Sequence, residues 1–156
     1  MTSVYAETSV PSAHVTTRQD AGSLYRRGVT RAWWARWAMQ YDLYISNAVI
    51  LELNAGEWPG KEEALELVRG VPGLDITDEV ESVARRYMAE RLVPGEAGAD
   101  AVHLAVACVH SMDYLLTWNI RHLANPNKFE HLVVVNRRLG LMTPAIVTPE
   151  GLWPGR

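Results

Sequence analysis

Short apolar runs alternate with longer amphipathic stretches along this chain. Val4 to Ala6 is apolar and bounded by polar residues, which suits a buried strand better than a helix. The segment from Gln19 to Tyr41 predicts a helix or helical hairpin, broken or bent near Gly28. Trp33, Trp37 and Tyr41 recur at i, i+4 and i+8 and define one apolar stripe, read as core rather than as a base-stacking platform. Trp34 lies off that stripe and is a candidate for a partner surface. Asp42 to Ser46 predicts a second strand, with Ser46 capping a helix from Asn47 to Ala55 that Gly56 closes in a left-handed turn. Pro59 opens a helix through about Arg69, with Lys61 and Glu62 exposed and Ala64, Leu65 and Val68 facing inward.

Leu74 to Thr77 predicts a brief strand, and Thr77 caps a helix from Asp78 to Leu92. From Pro94 a glycine-containing loop leads into an alanine-rich helix over about Ala99 to His110, whose small side chains allow close packing on a sheet. Tyr114 to Thr117 predicts a strand, followed by a helical region interrupted at Pro126 and running to about Leu139. Ala145 to Val147 gives a last strand, and Thr148 and Pro149 open a final turn. Strands alternating with helices throughout predict an α/β protein: one domain over 1–156, with a mainly parallel sheet of about four or five strands and helices on both faces.

Composition narrows the function classes. A length of 156 residues suits one domain with a substantial core. No apolar run approaches the roughly 20 residues needed to span a bilayer. Cys108, the single cysteine, has no partner within the chain, and the N-terminus shows no basic segment followed by an apolar stretch, so a cytoplasmic location is expected. The net charge of -3 gives no general attraction to nucleic acid. Basic residues do gather at Arg26, Arg27, Arg31 and Arg36 and at Arg85, Arg86 and Arg91, either as local patches or as solvated helix faces.

The acidic residues carry the candidate chemistry. In an open parallel sheet a ligand binds beyond the carboxyl ends of the strands. Glu7 stands just past the first strand, Asn119 just past the strand ending at Thr117, and Asp100 at the start of the preceding helix. Glu52 lies inside a helix between Leu51 and Leu53, an awkward place for a carboxylate without a partner. Each alone has a plain explanation: a strand-end solvent residue, a carboxylate matched to a helix dipole, the wet edge of an amphipathic helix. Together they form a set that repels itself unless cations neutralise it, and oxygen ligands select hard ions such as magnesium or manganese.

"VYAETS" near the N-terminus, "ISNAVILEL" at Ile45 to Leu53, "ADAVHLAVA" at Ala99 to Ala107, "DYLLTWNIRHLAN" at Asp113 to Asn125 and the closing "IVTPEGL" resemble the successive motifs of PIN-domain proteins, particularly the VapC-type toxin-like ribonucleases. The resemblance covers nearly the whole chain. It implies a three-layer α/β/α fold and a magnesium- or manganese-dependent endoribonuclease with an RNA substrate, a cognate antitoxin protein and a homodimer or higher homo-oligomer. Position by position it places the acids at Glu7, Glu52 and Asp100, the fourth motif position, often aspartate, at Asn119, and the accompanying hydroxyls at Thr8, Ser9 and Thr117. By that match Glu7 and Asp100 would hold the principal ion, Glu52 would ligate through water or orient the attacking water, and Asn119 would position a water or substrate oxygen. The missing charge at Asn119 favours one resident ion over two. Asp113 precedes its strand and belongs at the opposite edge of the sheet.

His103, at i+3 from Asp100, is either a satisfied core histidine or a group hydrogen-bonded to the cluster. His110, His122 and His131 have no zinc spacing, Cys108 reads as a small core residue, and no nucleophile elbow is present. The rival reading, drawn from Asn119 and the lack of positive charge, is an RNA-binding or protein-interaction module of the same fold with little or no catalysis. Action on DNA is a third reading, because a metal site does not read the sugar.

Overall fold

Five strands, β1 (Ser3–Ala6), β2 (Asp42–Ser46), β3 (Gly73–Leu74), β4 (Tyr114–Leu116) and β5 (Ala145–Val147), form one parallel sheet in the order β3-β2-β1-β4-β5. The structure, a computed structural model, describes residues 1–94 and 98–154. Among these, seven α-helices flank the sheet: α1 (Ser9–Val15), α2 (Ala21–Arg36), α3 (Asn47–Asn54), α4 (Lys61–Val68), α5 (Asp78–Ala89), α6 (Gly98–Val109) and α7 (Pro126–Leu139), giving the three-layer α/β/α arrangement. The glycine-containing loop expected after Pro94 falls at 95–97, outside the described residues.

β1 occupies the middle of the sheet, with Tyr5 level with Tyr44 on one side and Leu115 on the other. Covered on both faces, it reads as an unbroken apolar run, and Val4, Tyr5 and Ala6 are fully buried. α6 packs along α5, and its small residues Ala101, Ala105, Ala107 and Cys108 are fully buried, which lets the elements around it approach closely. Asp113 lies at the amino end of β4, where its carboxylate accepts from the Ser3 backbone N–H at 2.8 Å and sits away from the acids at the other edge.

Several local expectations are revised. The chain from Ser9 to Val15 forms a helix that no periodicity announced, because seven residues with Pro11 in the first turn carry too little pattern. α2 runs through Gly28 without a break; a mid-helix glycine costs only about 1 kcal/mol, which the burial of Trp33 in the same helix exceeds. The aromatic stripe is core: Trp33 is sealed, donates its indole N–H to the Leu152 carbonyl at 2.8 Å, and stacks on Tyr41 at 6.0 Å. Trp34 is half-buried, edge-on to Trp33 and His14.

Ser46 precedes α3 in extended geometry but makes no cap, since its hydroxyl is committed to Tyr5. α4 starts after Gly60, at φ +96°, where a Cβ would stand 3.0 Å from the Val15 carbonyl oxygen; only glycine combines that dihedral with that approach. Lys61 is turned inward, not exposed, and its ammonium donates to the Gly56 carbonyl at 2.8 Å. Strand β3 stops at Leu74, short of Thr77, whose hydroxyl caps α5 by accepting from the Val80 N–H at 3.2 Å. Pro126 begins α7 rather than interrupting a helix, with Asn125 as its cap.

Behind the sheet, Asn136 is sealed among α5, α6 and α7, accepting from the Tyr87 hydroxyl and donating to Thr143 Oγ1 at 2.9 Å. Truncating it removes the partner of the buried Tyr87 hydroxyl, so Asn136→Ala is expected to cost about 1–3 kcal/mol, read as a lower urea midpoint with an unchanged m-value.

Candidate functional site

The chain leaves the carboxyl ends of β1 and β4 side by side. Glu7 continues the ladder, its N–H donating to the Leu116 carbonyl at 3.1 Å, and its side chain is 4% exposed, so it is no solvent residue. One oxygen, Oε1, accepts from the Ser9 backbone N–H at 3.0 Å, from the Ser9 hydroxyl, and from Thr117 Oγ1 at 2.7 Å. Thr117 Oγ1 in turn accepts from the Asn119 N–H at 2.9 Å. The Asn119 amide nitrogen donates to Asp100 Oδ2 at 3.1 Å, and Asn119 Oδ1 accepts from the His122 N–H at 3.1 Å. Asp100, in the first turn of α6, also meets His122 Nδ1 at 3.1 Å. Glu7, Thr117, Asn119 and Asp100 thus form one connected network.

Glu52 joins from α3. Its Oε1 accepts from the Thr8 hydroxyl at 2.9 Å and from His103 Nε2. His103 is fully buried; its Nδ1 lies 2.7 Å from the Tyr5 hydroxyl, which lies 2.7 Å from Ser46 Oγ. A carboxylate only accepts, so His103 Nε2 carries the hydrogen in that contact. The buried histidine that the sequence left between core and cluster serves both, anchoring Glu52 from behind.

Burial pushes the Glu7 carboxyl up to about 7; His103, the Thr117 hydroxyl and the Ser9 N–H oppose this, and the charge of Asp100 adds to it. Partial burial also works to raise Glu52, but the hydrogen bond and charge of His103 and the Thr8 hydroxyl prevail and hold it below the usual carboxylate range. Among the described residues no lysine or arginine pairs with Glu7, Glu52 or Asp100; the ion-pair partners of Glu52 and Asp100 are the two histidines.

These contacts decide how far the residues suit a hard cation. Among the described residues no three His, Cys, Asp or Glu side chains are grouped to hold an ion, and Glu52 is directed to His103 and Thr8. Magnesium, however, keeps several waters and needs only one or two carboxylates. Glu7 and Asp100 meet that requirement: they are electrostatically coupled, unmatched by lysine or arginine, and engaged among the described residues through one oxygen each. Asn119 connects them, directly to Asp100 and through Thr117 to Glu7, so these two are the carboxylates that could hold a water-rich ion.

Sequence reasoning missed two participants. Tyr5 shares the Glu7 side of β1 by strand alternation, but its apolar neighbours gave it away only as core. His122 was set aside for lack of zinc spacing; its position three residues after Asn119 in a turn was the available signal. Beside the network a cleft of about 770 Å3 opens between α1, the start of α2 and the segment after α3, with Glu52 and Asn119 on its wall. Comparison of the chain with models of known families, with curated proteins and with solved structures finds no match.

A carboxyl that titrates near 4.5 unfolded and near 7 folded takes up a proton on folding between those values. Stability from this group is therefore full below pH 4.5 and lost as pH rises through 7, by on the order of 3 kcal/mol. Thermal unfolding of metal-free protein should show a melting temperature falling by several degrees from pH 5 to 8, and Glu7→Gln should flatten that slope.

Proposed function

We propose that this protein is a metal-dependent endoribonuclease of the PIN-domain type, hydrolysing RNA phosphodiester bonds as the toxin-like member of a toxin and antitoxin pair. The observation that carries the reading is the continuous network from Glu7 through Thr117 and Asn119 to Asp100 at the carboxyl ends of the central strands, with Glu52 tethered beside it. That is where parallel sheets bind ligands, and the motif order along the chain supports the family.

Glu7 and Asp100 would hold magnesium or manganese, and that ion would supply an acidified water and a polarised phosphate. Asn119 fixes the Asp100 carboxylate by donating to Oδ2, and supplies no charge of its own. Glu52, kept ionised and oriented by His103 and Thr8, takes the proton of the attacking water or aligns that water. Loss of a fourth acid at Asn119 leaves one ion as the resting occupant. The antitoxin partner, the homodimer or higher homo-oligomer and the cytoplasmic location belong to the same proposal and rest on sequence alone; co-purification of a small acidic or disordered protein tests the first of them. No helix among the described residues is long and apolar enough to cross a membrane.

A second reading, an RNA-binding or protein-interaction module with little catalysis, is favoured by Asn119 at the fourth position and by the commitment of Glu52 to His103. Calorimetric titration separates the two. Saturable magnesium or manganese binding at or below millimolar concentration supports the nuclease, and no heat at that concentration supports the module.

Purified protein should cut RNA only with magnesium or manganese, and Asp100→Asn should lower the rate by about a hundredfold or more. Undiminished cleavage in excess chelator would count against the metal mechanism.

A further inference from the structure

The cleft next to the acidic network has a wall that the proposed chemistry leaves unused. Trp58 and Trp118 line it, both partly exposed. Each indole N–H is already committed, Trp58 Nε1 to the Leu53 carbonyl at 2.9 Å and Trp118 Nε1 to Thr30 Oγ1 at 2.8 Å. Both rings are therefore held in place by their edges before any ligand arrives. Arg18 and Arg26 line the same cleft. The Arg18 guanidinium is largely exposed and its contact with Asp20, at 3.5 Å, is a surface pair of little strength; among the described residues the Arg26 guanidinium donates to a hydroxyl, Ser23 Oγ, at 3.5 Å. In a chain of net charge -3, two cations and two indoles collected in one cleft are a local departure from the average.

We propose that this cleft is a subsite for an unpaired nucleic-acid strand, in which Trp58 and Trp118 stack bases and Arg18 and Arg26 pair with phosphates. The chemistry is that of single-strand grooves, where aromatic faces accept any base and cations follow the backbone. A base inside a duplex is stacked on its neighbours and offers no free face. At about 770 Å3 the cleft is of ordinary ligand-site size and takes a short stretch of strand. Its Asn119 end adjoins Asp100, so a strand held here is led to the acidic network. That last step rests on the nuclease reading; the binding itself does not.

The test is fluorescence anisotropy with a labelled single-stranded RNA of about 12 nucleotides and the full chain in chelator, where no metal-dependent cleavage occurs. Trp58→Leu and Trp118→Leu should each weaken binding about 5- to 100-fold, and Trp118→Phe, which keeps an aromatic face, should recover most of the loss. Because Arg18 is exposed and the partly buried Arg26 holds Ser23 Oγ only at 3.5 Å, the double variant Arg18→Ala with Arg26→Ala should fold, checked by an unchanged circular dichroism spectrum, and should reduce the slope of log affinity against log salt by about 1.4. A blunt duplex of the same sequence should bind at least about tenfold more weakly. Unchanged affinity in the leucine variants, an unchanged salt slope, or equal binding of the duplex would each overturn the subsite. Tryptophan-dependent binding without metal-dependent cleavage would uphold the subsite and remove the nuclease reading. Metal-dependent cleavage with binding untouched by these substitutions would do the reverse.

Discussion

A carboxyl group sealed at the end of the central strand must find hydrogen-bond donors or drive the local fold apart, and Glu7 meets that demand with Ser9 and Thr117. The two donors come from opposite sides. Ser9 is the first residue of α1, and its hydroxyl also accepts the Trp118 N–H at 2.8 Å; Thr117 ends β4 and receives the Asn119 N–H. Satisfying one buried carboxyl therefore sets where α1 begins, how the chain turns after β4, and where Asn119 points. Asp100 and His122 are then placed by their contacts with that turn.

The same constraint shapes the electrostatics. Burial and the neighbouring Asp100 charge both favour a protonated Glu7, whereas ion binding favours the carboxylate. Folding stability and the proposed activity consequently pull one group in opposite directions, the usual tension at a functional site. Glu52 follows a different logic. Its side chain is exposed, and the His103, Tyr5 and Ser46 chain behind it keeps it ionised. That chain also explains the uncapped start of α3: a hydroxyl at 2.7 Å from a buried phenol is worth more there than at a solvent-facing helix end.

The cleft depends on a helix that the sequence pattern did not reveal. α1 supplies one wall, and it packs on α2 and α4, where Gly60 lets the chain pass close to Val15. Without α1 the carboxyl ends of β1 and β4 would open onto a broad surface; with it, the acids lie at the end of a walled space that carries two indoles and two guanidiniums.

Apolar runs at Val4–Ala6, Tyr114–Leu116 and Ala145–Val147 spaced by amphipathic helices determined the parallel α/β layout, because strand burial on both faces and helical periodicity are written in neighbouring residues. The same local reading placed Glu7 and Asn119 just past the carboxyl ends of their strands, Asp100 at the start of the helix before β4, and Asp113 at the other edge. Tertiary structure alone decided that Glu7 is sealed, that His103 serves Glu52, that Ser46 bonds Tyr5 instead of capping, and that His122 reaches Asp100. Each of those outcomes is a contact between residues distant in the chain or a degree of burial, and such quantities depend on what packs from elsewhere, which no window of neighbouring residues contains.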